Sequence, residues 1–287
     1  MNFRKTLTAV LALAAGVAGA PAAHAIEGYA HPWQMGLQPT NSPSMAGIHS
    51  LHNYLLMPII TVVVLVVLGL LLYVMSRFNA RSNPVPSRTT HNTMIEVVWT
   101  VVPILILVVI AVPSFRLLYL QRDIPAADMT LKIIGNPGWN WTYEYPDLGL
   151  NDDGSAKVSF TASLDDKARD MKTAEDAKVP YLLKTDNPVV VPVNKTVKLI
   201  VTSDPDGIIH AWTIPQFGLK IDAIPGRLNQ DWFHAEREGV FYGQCSELCG
   251  KDHAFMPIEV HVVSQQDYDT WAKTAQTAGL EEAYKYL

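Results

Sequence analysis

The residues of this chain best equipped for chemistry lie together in Cys245-Ser-Glu-Leu-Cys249-Gly-Lys-Asp-His253-Ala-Phe-Met256. Cys245 and Cys249 are its 2 cysteines. Two thiols, an imidazole and a thioether at the spacing C-x3-C-x3-H-x2-M form a soft ligand set. Such donors select copper or zinc over hard cations. Structural zinc draws on Cys and His without a thioether, so copper used for electron transfer is the better match. Taken singly, each residue has a plainer reading. Paired cysteines in an exported chain commonly form a disulfide, a lone Met is commonly core, and a lone His is commonly an ordinary side chain. The joint spacing favours a metal. A further ligand has to come from elsewhere, and His210 is the natural candidate. His31, His49, His52, His234 and His261 lack ligand spacing.

Elements that could hold these donors follow from the pattern after Gln121. The runs LKIIG, WNWTYEY, AKVSFTAS, VVVPV, TVKLIVTS, HAWTIP, GVFYGQ and IEVHVV are short and punctuated by Gly, Pro, Asn and Asp. They read as strands, and many short strands predict a β-sandwich or barrel over 121–263. Loops at one end of such a scaffold would carry His210 to the Cys/His/Met stretch. Asp165 to Lys178 is charged and weakly periodic, and reads as a surface loop or short helix without chemistry. From Ser264, Ser-x-x-Asp267 is a capping box that opens an amphipathic C-terminal helix over 264–287, with Trp271 packed on the sandwich.

The part before Gln121 is of another kind. Residues 1–25 carry Arg4 and Lys5, an apolar run and the small-x-small site Ala23-His24-Ala25, which predicts a signal peptide and a mature start at Ile26. Residues 26–53 follow as an N-terminal segment outside the membrane. Apolar runs from about Tyr54 to Met75 and from about Val97 to Leu120 are each long enough to cross a bilayer of roughly 30 Å. They predict a transmembrane hairpin over 54–120. Its loop, about 77–95, holds Arg77, Arg81 and Arg88 without an acid, which places it in the cytoplasm and both ends outside. In a Gram-negative cell the copper motif is then periplasmic. From Gln121 onward the chain has 16 Lys+Arg against 25 Asp+Glu, a net −9, while the part before it has 6 against 2. An acidic domain favours basic partners, and nothing here points to nucleic acid.

HAWTIPQFGLKIDAIPGRLNQDWF followed by GQCSELCGKDHAFMPIEV closely resembles subunit II of cytochrome c oxidase in its bacterial form. The resemblance covers nearly the whole mature chain. It implies a two-helix transmembrane hairpin plus an all-β cupredoxin-like sandwich, in the bacterial inner membrane with its C-terminal domain in the periplasm. It also implies a binuclear copper A centre. The sulfurs of Cys245 and Cys249 would bridge both coppers, and His210, His253, Met256 and the carbonyl of Glu247 would complete the site. The Glu247 carboxylate would reach a magnesium ion shared with subunit I. Trp139, in an aromatic cluster that is otherwise read as core or interface, would be where electrons arrive from cytochrome c. Glu96, in HNTMIEVVWTVVP, would stand at the entrance of a proton channel of subunit I; an acid favoured by the helix macrodipole is the plainer reading. Family members usually carry an acid where this chain has Gly207, with Asp204 and Asp206 close by, and Asp222 would belong to the docking face.

The implied activity is that of an oxidase subunit. Cytochrome c would dock on the acidic face, an electron would pass through the copper pair to heme in subunit I, and oxygen would be reduced to water as protons are pumped. Lipid and the other oxidase subunits would be its membrane neighbours. A membrane-tethered copper chaperone or thiol–disulfide protein is the competing reading, since C-x3-C with a distant His suits either. Met256 and the Glu between the cysteines favour the oxidase.

Overall fold

The computed structural model describes residues 28–287; the predicted signal peptide and its cleavage at Ala25 lie outside the described residues. Helix α1 (Pro43–Leu51) opens on Ser42, whose hydroxyl accepts from the Met45 amide. Pro43 sits in the first turn, where no amide proton is needed. The helix runs through a π-type turn, His52–Leu56, into α2 (Met57–Arg77). Helix α3 (Thr93–Arg122) is capped by the Asn92 side chain and carries Pro103 and Pro113 in its interior. The two continuous rods are 35 and 30 residues long, apolar, and without buried residues in their most hydrophobic stretches. At about 1.5 Å per residue each exceeds the roughly 30 Å apolar layer of a bilayer. The first begins eleven residues before the apolar run from Tyr54. Its cause is the Ser42–Pro43 start, and the extra turns pack beneath the β-domain, with Ser44 and Met45 buried.

Ten strands follow. Strands β1 (Met129–Asn136), β2 (Asn140–Glu144) and β3 (Ser159–Ala162) are succeeded by a short helix α4 (Met171–Ala177). Then come β4 (Val189–Pro192), β5 (Thr196–Ser203), β6 (His210–Ile214), β7 (Leu219–Ala223), β8 (Asn229–His234), β9 (Gly239–Gln244) and β10 (Pro257–Val263). One sheet has the order β3-β2-β1-β5-β8, the other β4-β10-β9, and β6-β7 form a separate ribbon. The β1–β5 and β4–β10 pairs are parallel and the other strand pairs antiparallel. Alternation sends Leu131 and Ile133 of β1 and Val197, Leu199 and Val201 of β5 inward. Trp141, Tyr143, Tyr145, Trp212, Phe233 and Phe241 fill the space between the sheets.

Strands β7 and β8 have no counterpart in the sequence reading. Asn229–His234 is too polar at its start to alternate cleanly, and it forms because its main chain pairs with β5. Leu219–Ala223 follows the turn Pro215–Phe217 and pairs back onto β6. Within 165–178, Asp165 and Asp170 cap a 3-10 turn and α4 by accepting backbone amides. The chain ends in α5 (Gln265–Thr277) and α6 (Leu280–Ala283). Ser264 accepts from the Asp267 amide, and Trp271, fully buried, meets Tyr145 with ring centroids 5.2 Å apart.

One charged cluster supports the sheet that leads to the candidate site. Glu259 on β10 is 1% exposed. It accepts from the Thr185 amide at 2.7 Å and lies 2.9 Å from His261 Nε2 and 3.4 Å from Lys184 Nζ. Burial raises its pKa, but the His261 and Thr185 hydrogen bonds and Lys184 outweigh that, and the net shift is downward from 4.5. The unfolded chain therefore takes up this proton first. The stabilisation is complete above the ordinary glutamate range and is lost as pH falls through the lower folded value. Glu259→Gln is expected to cost about 1–2 kcal/mol at neutral pH, because it weakens the hydrogen bond to the buried Thr185 amide and leaves the partly exposed Lys184 and His261 without their anion. It should also flatten the acid side of a stability–pH curve measured by thermal melts. An acid side as steep as in the parent chain would remove Glu259 from that role.

Candidate metal centre

Two segments converge at one end of the sandwich. His210 opens β6 and is fully buried. Its ring lies against Gly135 of β1, where an added Cβ would come within 2.6 Å of His210 Cδ2. Trp141 meets the ring edge-on at 5.7 Å. Burial holds the His210 pKa below the ordinary value, which favours the neutral imidazole that a metal binds.

The second segment is the loop between β9 and β10. Gln244 and Pro257 pair across the two strands, and the Cys245 amide donates to the Met256 carbonyl at 3.0 Å. The loop is thus closed at its base, and the Ser246 amide ties it to Ala211 beside His210 at 3.1 Å. The Cys245 and Cys249 sulfurs are 3.7 Å apart as free, buried thiols. His210 Nδ1 is 3.8 Å from Cys245 Sγ, and His253 Nδ1 is 3.3 Å from Cys249 Sγ. The Glu247 carbonyl is 3.3 Å from Cys245 Sγ, and Met256 is fully buried at the end of the loop. The ligand atoms of His210, Cys245 and Cys249 all lie within 4.8 Å of one another. Burial and then the neighbouring Cys245 push the Cys249 pKa up to about 12. Two thiols this close resist ionising together unless a cation compensates them. An imidazole on each flank, with the carbonyl and thioether at hand, is a donor set that fits copper.

Trp139 stands directly outside this cluster. Its backbone is left-handed, with φ 56°, and its indole N–H donates to the Cys249 carbonyl at 2.9 Å. Gly250 has φ +114°, and a Cβ there would press on the indole at 3.1 Å. Lys251 Nζ lies 5.7 Å from the centre of the Trp139 ring, a cation–π contact absent from the sequence reading. So is Arg169, whose guanidinium stands 5.9 Å from the Phe255 ring within the metal loop, although its segment reads as inert. Around Trp139, the exposed Ile208, Ile209 and Leu248 line a shallow depression with Gly207 and Pro225.

Of the remaining residues, the exposed Glu247 lines both that depression and a cavity of about 710 Å³ between the end of α3 and the sandwich, the latter with Arg122, Lys220, Asp222 and Asp231. Asp222 faces this cavity and is not among the residues lining the Trp139 depression; on β7 it pairs with Ala211, next to His210. Burial raises the Asp231 pKa to about 6 against the opposing pull of Arg122. Glu96 is in the first turn of α3, at the helix end away from the sandwich. His261 is occupied by Glu259, and His49 Nε2 by the Gln38 carbonyl.

Soft donors on loops at one end of a β-sandwich, carried by two apolar helices, define a membrane-anchored protein of the cupredoxin-like class. Comparison with known proteins narrows this. Residues 129–263 match the family described as cytochrome C oxidase subunit II, periplasmic domain, and residues 30–117 match its transmembrane domain. The "Cytochrome c oxidase subunit 2" of Cereibacter sphaeroides is 44% identical over 287 residues, covering 96% of this chain and 93% of that protein. The "Probable cytochrome c oxidase subunit 2" of Rickettsia bellii is 47% identical over 240 residues, covering 84% of this chain and 83% of its own length. Among solved structures, the periplasmic domain of subunit II of cytochrome oxidase from Bradyrhizobium japonicum is 45% identical with a TM-score of 0.44, covering 54% of this chain and 97% of that one. The chain belongs to the cytochrome c oxidase subunit II family.

Proposed function

We propose that this chain is the subunit through which electrons enter a respiratory heme–copper oxidase, with cytochrome c as donor and the heme of subunit I as acceptor. The observation that carries this reading is the paired-thiol cluster with the Trp139 indole hydrogen-bonded to its Cys249 carbonyl. His210, Cys245, Cys249, His253, Met256 and the Glu247 carbonyl would hold a two-copper centre. That centre would supply one-electron redox chemistry between the donor and subunit I, where oxygen would be reduced and protons pumped.

The chain's own residues set the conditions for this. The hairpin closed by Gln244 and Pro257, and tied to β6 through Ser246, keeps both thiols and both imidazoles in fixed relation. Rigid ligands suit a site that changes charge without changing shape. Trp139 offers a π-system between the surface and the Cys249 backbone, and the apolar depression around it excludes water from a docked donor. The carboxylates of the acidic domain steer a basic donor toward that face. Turnover of cytochrome c by the assembled oxidase tests the reading. The apparent on-rate should fall steeply between low and high salt, since exposed charges are screened within about 8 Å at physiological ionic strength. A salt-independent on-rate would contradict the steering.

The β-domain would lie in the periplasm of a bacterial inner membrane, with the loop at about 77–95 in the cytoplasm and the leader removed at Ala25. Glu96, at the cytoplasmic end of α3, would serve proton uptake through subunit I. The Glu247 carboxylate would hold magnesium at the boundary with subunit I, because a hard anion suits magnesium and suits copper(I) poorly. Glu247→Gln keeps the carbonyl and removes the charge. The mutant oxidase is expected to keep its copper spectrum while losing or weakening the magnesium site, measured by manganese substitution and electron paramagnetic resonance. A tight, unaltered manganese signal would remove Glu247 from that site.

A further inference from the structure

Below the sandwich, a cleft of about 480 Å³ opens between α3 and the rod formed by α1 and the π-type turn. This volume is within the roughly 300–1,000 Å³ of ligand pockets. Leu51, Leu55, Leu117 and Leu120 line it, and Arg116 is its one charged residue. The helices touch at Gly47, where an added Cβ would lie 2.7 Å from Leu117 Cδ1. Tyr54, also in the lining, is 82% exposed.

Arg116 is exposed and makes no hydrogen bond or ion pair with any described residue. A guanidinium on an apolar membrane helix is costly unless it meets an anion or reaches the interface. No Asp or Glu occurs anywhere from Gly28 to Ile95, so neither α1, the π-type turn nor α2 can supply that anion. Glu96, the other charged residue of α3 before Arg122, stands at the far end of the helix. From Glu96 to Arg116, α3 rises about 30 Å without another charge, the apolar thickness of a bilayer, which sets Arg116 at the headgroup edge of the leaflet facing the β-domain. The anion available at that depth is a lipid phosphate. Arg is suited to hold it, because its planar fork binds phosphate through paired hydrogen bonds.

We propose that this cleft is a defined phospholipid site, with the phosphate on Arg116 and an acyl chain against Leu51, Leu55 and Leu117. The inference rests on the membrane reading of α2 and α3 and goes beyond general contact with lipid. It does not depend on the copper chemistry.

The assembled oxidase should be extracted with its native bilayer, delipidated in detergent, and its retained phospholipid measured by mass spectrometry. Rebinding should then be titrated with phosphatidylglycerol nanodiscs. The parent complex is expected to retain one phospholipid that Arg116→Gln loses, and Arg116→Gln should rebind at least about tenfold more weakly, as loss of a charge-assisted hydrogen bond gives. Arg116→Lys should fall between them. Unchanged copper spectra in these variants separate a lipid effect from failure of the electron-transfer reading. Equal retention in parent and Arg116→Gln complexes would overturn the proposal. If Arg116→Gln fails to assemble, electron cryo-microscopy of the parent complex in nanodiscs decides. Lipid density on Arg116 supports the site, and a neighbouring subunit's carboxylate on Arg116 overturns it.

Discussion

Replacing Cys245 or Cys249 by Ser is expected to abolish the copper spectrum and to lower cytochrome c oxidation by on the order of a hundredfold or more. Losing an outer partner of a metal ligand already costs about 10–100-fold, and losing a sulfur proposed to bridge two metals would cost more. The two thiols are 3.7 Å apart, each with its own imidazole within 3.8 Å or less. Removing either therefore disrupts both halves of the cluster. Serine keeps the backbone, so the Trp139 hydrogen bond to residue 249 survives, and the loss can be assigned to sulfur. The measurement is copper content with electron paramagnetic resonance, followed by turnover of the assembled oxidase. An unchanged spectrum in either mutant would end the bridging assignment.

Trp139→Ala is expected to leave copper bound and to slow electron uptake from cytochrome c on the order of tenfold or more, about 1.4 kcal/mol or more in barrier. The indole N–H faces Cys249, where it also favours the thiolate against the stronger effect of burial. It reaches the cluster through the Cys249 carbonyl at 2.9 Å, and Gly250 and Lys251 hold its faces. Deleting it leaves a water-accessible gap on the path from the surface and leaves the ligands in place. Stopped-flow reduction by cytochrome c checks this. Normal uptake in the mutant would place the route elsewhere on the domain.

What could be read from the residues alone follows from distance along the chain. Cys245, Cys249, His253 and Met256 share one loop, so their spacing already displays the ligand set. His210 lies on another strand, and it joins them through backbone contacts such as Ser246 to Ala211 that no spacing rule shows. Strands with clean alternation, such as Thr196–Ser203, are visible as patterns, whereas Asn229–His234 depends on a partner strand for its existence. The start of α1 is set by the Ser42 cap and Pro43, a local signal that lies eleven residues ahead of the apolar run and is masked by the polar residues between. Lys251 over Trp139 and Arg169 over Phe255 are contacts of tertiary packing. Asp222 matches a family pattern, yet only the course of β7 shows that it faces the cavity shared with Arg122.

One chain is expected to hold two coppers at Cys245 and Cys249. The most direct measurement is made on the purified full-length chain, reduced, loaded with copper and partly oxidised. Copper is counted per chain, and the electron paramagnetic resonance spectrum is recorded. Two coppers per chain are expected, with the unpaired electron shared between both nuclei and hence more hyperfine lines than a single copper gives. One copper per chain with the splitting of a single nucleus, or a Cys245–Cys249 disulfide that takes up none, would contradict it.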